Sequence, residues 1–270
     1  MDFLSREGSP IPAELWEKID DAVVSAARKI LIGRRFISIY GPLGAGIQSI
    51  NVDQISELEE TEGSIAVIKG RTYQHIPLIN QDFSLLWRDL EFAEQTGVPV
   101  DLSKASWAAA QCALKEDELI FLGNAELGYT GLLTDEGTVK LPISDWSEGE
   151  NPFRDISAGL AKFIEKLIVG RKALIVSPSL LIQLQRIQAG TGITEYDRIS
   201  KLVAGNIFTT PVIKGNKAVL VCAEAQYLDL VIGQDMICSY LETKNLNHYF
   251  RIIETLLLRI KNKDAVIVFE

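Results

Sequence analysis

The sequence predicts an α+β fold. Helical and strand-like segments follow one another without the regular alternation that builds a doubly wound parallel sheet. Beyond about residue 204 the chain reads mainly as strands. No internal repeat or low-complexity linker interrupts the 270 residues, and a hydrophobic fraction of 47% is enough for a substantial core.

An amphipathic helix is expected from Ala13 to Ile32, because Trp16, Ile19, Val23, Ala27, Ile30 and Leu31 recur at three- and four-residue steps. Pro10 and Pro12 restrict its start and Gly33 supplies a stop. A short strand, Arg35 to Tyr40, runs into the glycine-rich turn Gly41 to Gly46. That turn lacks the GK[ST] ending of a phosphate-binding loop, so no nucleotide is expected there. The acidic stretch 51–63, with Glu57, Glu59, Glu60 and Glu62, precedes a strand-like segment from Ala66 to Ile79. Together they read as an extended, exposed arm with little to pack against in its own chain, and a neighbouring subunit would supply the missing surface.

The longest helix is expected from Leu102 to Phe121, rich in alanine and leucine, with N-cap candidates at Asp101 to Ser103 and Gly123 as its end. Further helices are read at Phe153 to Val169, from the Ser177 to Ser179 cap through Ile187, and at Glu195 to Ala204. A strand at Ala173 to Val176 lies between the first two, and a glycine-rich loop, Ala189 to Thr194, between the last two. The closing strands are read at Ala218 to Cys222, Leu228 to Val231, Met236 to Leu241, Arg251 to Ile260 and Ala265 to Phe269.

Most chemistry is argued against by what the chain contains. Lys and Arg total 27 against 36 Asp and Glu, a net charge of −9, the reverse of the basic balance that packing nucleic acid requires. Cys112, Cys222 and Cys238 form no CxxC pair and read as small buried hydrophobes. His75 and His248 have no metal-ligand spacing, and no GxSxG elbow is present. Glu116, Asp117 and Glu118 project in different directions on a helix and read as solvated, or paired with Lys115 and arginines. Trp87, followed by Arg88 and Asp89, reads as a core or interface anchor that could also stack a flat ligand. Apolar runs are too short to span a bilayer, and the N-terminus lacks the apolar core of a secretory signal, so the cytoplasm is the expected location.

Four blocks nevertheless resemble one family in its own order: GRRFISIYGPLGAG (Gly33 to Gly46), IPLINQDFSLLWRDLE (Ile76 to Glu91), EDELIFLGNAELGYTGLL (Glu116 to Leu133) and LNHYFRIIETLLLRIKNKDAVIVFE (Leu246 to Glu270). The chain resembles type 1 encapsulin shell proteins, the linocin-type family. The resemblance implies the fold of a tailed-phage major capsid protein. Its peripheral domain, with a luminal N-terminal helix, would comprise 1–48, 75–133 and 222–264. The extended loop would be 49–74, and the axial domain 134–221 with 265–270.

It also implies a non-enzymatic subunit that self-assembles into an icosahedral nanocompartment around a cargo enzyme. That cargo would be a ferritin-like iron-storage protein or a dye-decolorising peroxidase, hence a role in iron storage or oxidative stress. Cargo would carry a C-terminal targeting peptide, received by Arg28, Leu31, Ile32, Arg34, Phe36, Leu230 and Ile232. The pore would be lined by Ala189, Gly190, Thr191, Gly192, Ile193 and Thr194, with Glu195 beside it helping to set ion passage. No metal or cofactor is implied in the shell itself. A flavin against Trp87 is a further implication, although Gln81 and Asp82 stand where a basic companion is wanted, and iron would enter only through cargo. Neither nucleic acid nor membrane is an expected partner. Two other readings stay open at this point: a phage or prophage capsid protein that packages DNA, and a protease.

Overall fold

A computed structural model describes residues 4–52, 57–61, 65–69 and 71–270. Within the expected extended loop, positions 53–56, 62–64 and 70 lie outside the described residues, as do positions 1–3 of the expected peripheral domain. The first half of the chain forms α1 (Ala13–Ile30), a 3-10 turn (Gly33–Arg35), β1 (Ile39–Tyr40), β2 (Ser49–Asn51), β3 (Glu57–Thr61), β4 (Ile65–Lys69), β5 (Tyr73–His75), β6 (Leu78–Leu85), α2 (Trp87–Thr96) and α3 (Ser103–Phe121). Then follow β7 (Gly123–Asn124), β8 (Tyr129–Thr130), β9 (Val139–Leu141), α4 (Asn151–Glu165), β10 (Lys172–Val176), α5 (Pro178–Leu184) and α6 (Glu195–Leu202). The chain closes with β11 (Ile207–Thr209), β12 (Ala218–Cys222), β13 (Leu228–Lys244), β14 (Asn247–Ile260) and β15 (Val266–Phe269).

Two sheets organise these elements. One is four-stranded, in the order β1-β13-β14-β6; the other is five-stranded, in the order β11-β10-β12-β15-β9. Among the described residues, two-stranded ribbons pair β2 with β5, β3 with β4 and β7 with β8. The apolar stripe of α1 does what its spacing dictates: Trp16, Ile19, Val23 and Ala27 are buried. They meet Ala105, Ala108, Ala109 and Cys112 of α3, whose small side chains let the two helices approach, above Phe83, Phe250 and Ile252 of the first sheet. Phe250 anchors that contact, stacked on Phe83 at 4.9 Å and edge-on to Trp16 at 5.5 Å.

The second sheet is buried on both faces. Ile175, Val219, Val221, Val266 and Val268 join a core shared with Ile120, Phe121, Leu230 and Leu256 of the other layer. Leu174, Val176, Leu220, Ile267 and Phe269 face Ile156 and Phe163 of α4, Leu180 and Leu184 of α5, and Ile199 of α6.

Several elements depart from the sequence reading for local reasons. α1 stops at Ile30 rather than Ile32, because the backbone N–H groups of Ile32 and Gly33 turn away to Asp117 at 3.0–3.1 Å. The strand expected at Arg35 to Tyr40 is reduced to Ile39–Tyr40 by the 3-10 turn before it. α2 was not anticipated; it buries no residue and ends where Gly97 takes a φ of 72°. α4 ends at Glu165, short of Val169, as Leu167 adopts a φ of 57° and Ile168 N–H returns to Phe163 O at 2.8 Å. The two strands expected at Leu228 to Val231 and Met236 to Leu241 are one strand, β13. The polar Gly-Gln-Asp between them forms bulges, with register shifts between Ile232 and Gln234 and between Gln234 and Ile237. β14 begins four residues before the expected Arg251, because Asn245 and Leu246, at φ 52° and 68°, make the tight turn that closes the hairpin.

Candidate functional site

The bulges of β13 swing Asp235 and Met236 toward the C-terminal half of α1, and a groove of about 360 Å³ opens between them. Val23, Val24, Ala27, Leu31 and Met236 form its apolar wall; Arg28, Arg34, Arg35 and Asp235 form its charged rim. The wall exists because α1 offers two adjacent stripes, one facing the core and one, headed by Val24 at 42% exposure, facing the groove. Arg28 and Lys29 occupy the last turn of α1, where cations complement the helix dipole. Arg35 Nη2 donates to the Arg28 and Lys29 carbonyls at 3.3 and 3.4 Å, closing that end. Among the described residues no ion pair engages Arg28, so its charge is available to an occupant.

Arg34 is not available in that way. Its Nε donates to both Glu116 oxygens at 2.8 and 3.0 Å, its Nη1 to Asp235 Oδ1 at 2.7 Å, and its Nη2 to Glu254 Oε1. Burial works against its charge, but the three carboxylates outweigh burial and hold the guanidinium well above its ordinary range. Next to it, burial pushes Asp117 up to about 7 despite the two N–H groups it accepts from Ile32 and Gly33. Of the expected solvation or pairing with Lys115 and arginines, Glu116 shows the pairing, with Arg34, whereas Asp117 shows neither and takes backbone N–H groups instead. Glu116 and Asp117 are 0% and 1% exposed, while Glu118 pairs with Lys115 at 2.6 Å.

Of the residues expected to receive a peptide, the structure brings Arg28, Leu31 and Arg34 to the groove. Ile32, Phe36, Leu230 and Ile232 do not reach it; all four side chains are packed in the core beneath, with Phe36 stacked on Phe208 at 5.8 Å. Sequence reasoning placed Val23 and Ala27 on the helix's core stripe without seeing their groove edge, and it missed Val24, Arg35, Asp235 and Met236. The spacing of Val24, Ala27 and Leu31 at three and four residues was a usable signal for the first. The rest depend on how β13 bulges, which spacing does not encode.

The arrangement suits a short extended segment that lays two or three apolar side chains on the wall and polar groups on the rim. Its volume falls at the low end of small-ligand pockets, about 300–1,000 Å³. Buried apolar area would contribute roughly 25 cal/mol per Å².

The loop from Ala189 to Thr194 is exposed from Ala189 to Ile193 and half-buried at Thr194. Its ends are tied by the Ile187–Thr194 bridge, and Gln188 N–H donates to Ile193 O at 2.9 Å. Gly190 and Gly192 turn it at φ 79° and 72°. Glu195, just after it, is fully buried and accepts from Arg198 Nη1 at 2.9 Å, so its carboxylate faces inward rather than into solvent. With its amide nitrogen turned toward them, Gln188 also donates to Glu195 Oε1 at 2.8 Å and Gly149 O at 3.0 Å.

Trp87 starts α2, 39% exposed, with its N–H on Asn247 Oδ1 at 3.2 Å and the Arg88 guanidinium 5.5 Å from its ring centre. Asp82 is held by Arg251 at 2.6 and 2.8 Å. His248 bonds the Tyr240 hydroxyl at 3.0 Å and His75 lies 3.3 Å from the Gln48 carbonyl, both structural contacts. Cys112 and Cys238 are buried, which pushes each thiol up to about 12 and leaves neither a nucleophile at neutral pH. Among the described residues no cluster of three or more His, Cys, Asp or Glu is placed to hold a metal ion, and no helix is long and apolar enough to cross a membrane.

Comparison with known proteins adds to this geometry. The family described as "Encapsulating protein for peroxidase" matches residues 1–257. A type 1 encapsulin shell protein of Myxococcus xanthus is 38% identical over 277 aligned positions, which cover 100% of this chain and 96% of that protein. Among solved structures, the virus-like particle from Pyrococcus furiosus superimposes with a TM-score of 0.77 at 24% identity, covering 96% of this chain and 100% of that one. The capsid of Myoviridae phage XM1 gives a TM-score of 0.63 at 15% identity, covering 87% and 90%.

Proposed function

Because this chain belongs to the encapsulin shell family, whose members are structural cage components rather than enzymes and share the phage capsid fold, we propose that it self-assembles into a closed icosahedral cage around a cargo enzyme. The observation that carries this reading is the match of family and fold along nearly the whole chain. In this reading 49–74 is the arm that reaches a neighbour, Ala189 to Thr194 border a pore on a symmetry axis, and the groove receives a targeting peptide at the cargo's C-terminus. A peroxidase is the cargo that the family's description names, and a ferritin-like protein, bringing iron with it, is the other candidate. What the family resemblance implies for either cargo is a role in iron storage or oxidative-stress defence, and the cytoplasm is the compartment that suits both. Docking at one groove can stay weak, since an oligomeric cargo engages several grooves at high effective concentration.

Electron microscopy of the purified full-length chain tests the cage: uniform closed particles are expected, and a protein that remains monomeric at high concentration would end the proposal. The likeness to a phage capsid favours one second reading, a shell that packs DNA. The net charge of −9 weighs against it, and nucleic acid co-purifying inside nuclease-treated particles would favour it. A flavin would have Trp87 as its stacking surface and Arg88 as its cation. Yellow particles that turn colourless with Trp87→Ala would support that assignment, and colourless wild-type particles after flavin supplementation would remove it.

A further inference from the structure

Beneath the groove lies a cluster whose charges do not balance. Glu116 on α3 and Glu254 on β14 are both fully buried and meet the same guanidinium, that of Arg34. The third carboxylate on Arg34, Asp235 of β13, stands at the rim with a 60% exposed side chain, where water screens it. The dry part of the cluster therefore holds one cation and two carboxylates. Glu254 Oε2 is also buried with no hydrogen-bond donor. A surplus negative charge with a bare oxygen is the state that burial penalises most.

The other groups around Glu254 do not supply the missing positive charge. On α3, Cys112 is a neutral thiol and Asp117 faces the N–H groups of Ile32 and Gly33. On β6, which pairs with β14, Asp82 is held by Arg251. On the 3-10 turn, Arg35 points back to the Arg28 and Lys29 carbonyls. Arg28 lines the groove, and Lys29 is exposed on the outer surface of α1.

We propose that Glu254 retains its proton beside Arg34 and Glu116, so that the cluster is a proton-dependent brace tying the 3-10 turn, α3, β13 and β14 together under the groove. The carboxylic O–H of Glu254 donates to Glu116, which gives the bare oxygen a partner and leaves one buried carboxylate for the guanidinium. Burial first, then the charge of Glu116, push Glu254 well above the ordinary carboxylate range against the pull of Arg34. The folded chain thus binds this proton more tightly than the unfolded chain. The stability contributed by the brace is fully present below the ordinary glutamate range and is lost as pH rises through the raised value. Arg34 acts here as a positioning residue for the groove, whatever occupies it, so failure of the cargo reading leaves this inference intact.

Infrared spectroscopy of the full-length assembled protein, followed upward in pH from the ordinary carboxylate range, tests it, with Asp117→Asn identifying the band of Asp117, which titrates at about 7. A protonated-carboxyl band in the wild type that disappears in Glu254→Gln is expected, with Asp117→Asn leaving it in place. The melting temperature of the wild type should fall relative to Glu254→Gln by about 3–5 °C for each unit by which the group is raised, once pH passes the transition. The glutamine amide donates to Glu116 as the acid does, so the variant's profile should be flat over that interval. Should Glu254→Gln fail to fold, Glu116→Gln provides the same comparison, and the wild-type band followed from neutral to alkaline pH provides a direct one. A wild type with no protonated-carboxyl band above the ordinary carboxylate range beyond the one that Asp117→Asn removes, or a band that survives both glutamate substitutions, overturns the proposal.

Discussion

The carboxylate of Asp117 reaches across from α3 to take the N–H groups of Ile32 and Gly33, and in doing so it ends α1 and starts the 3-10 turn that presents Arg34. Asp117→Ala would leave those two donors buried without an acceptor, at a cost of about 1–3 kcal/mol each. Asp117→Asn keeps an acceptor and removes the charge. The wild type should lose stability as pH rises through about 7, the value to which burial pushes this acid, and Asp117→Asn should lose less; melting curves on either side of that pH check it. Gly33 is constrained by space, since an added Cβ would collide with Ile120 Cδ1. Gly33→Ala should destabilise by about 1–3 kcal/mol, read in denaturant melts of the disassembled chain. The sequence hid this residue-level logic. Glu116, Asp117 and Glu118 look alike as a run of acids, and only the approach of Arg34 and the 3-10 turn separates two buried partners from one solvated neighbour of Lys115.

At the scale of elements, α1 and the long β13–β14 hairpin together make the groove. The helix was legible, because its core stripe obeys the 3.6 period and its small-residue partner α3 begins where Ser103 N–H donates to Asp101 and ends before Gly123 at φ 68°. The hairpin was half legible: both flanks alternate visibly, whereas the bulged Gly-Gln-Asp looked like a break between strands. For the same reason Ile32, Phe36, Leu230 and Ile232 looked like groove residues: they neighbour it in sequence, yet the turn after α1 and the pleat of β13 send them inward. Docking is therefore tested better on the outer stripe. Changing Val24 and Arg28 together to glutamate should leave assembly intact, because Val24 is exposed and Arg28 makes no ion pair among the described residues. Co-expressed cargo bearing its C-terminal peptide should fall at least tenfold in the purified particles, the equivalent of about 1.4 kcal/mol per docking event. Undiminished cargo in such particles would place the docking site elsewhere.

For the whole molecule, the acidic balance pointed away from packed nucleic acid, and the α+β class was readable from the order of segments. The pairing of the two sheets was not, since β9, β12 and β15 come together from distant stretches of chain and no local pattern announces such partners. Deleting 49–74 should leave a soluble folded chain, because the two sheets and their shared core lie outside it, and should abolish closed particles. Intact cages of that deletion variant in electron micrographs would contradict the role given to the arm.

The core cluster shared by both sheets has a further consequence. Ile175 and Val219 touch the same oily interior as Phe121 and Leu256, so neither layer keeps a complete inside when the other is removed. The two layers are therefore expected to denature in one calorimetric step rather than two. An engineer who wants to splice in a foreign sequence has to choose an exposed bend such as Gly190 to Gly192, because no seam runs through the middle of the protomer.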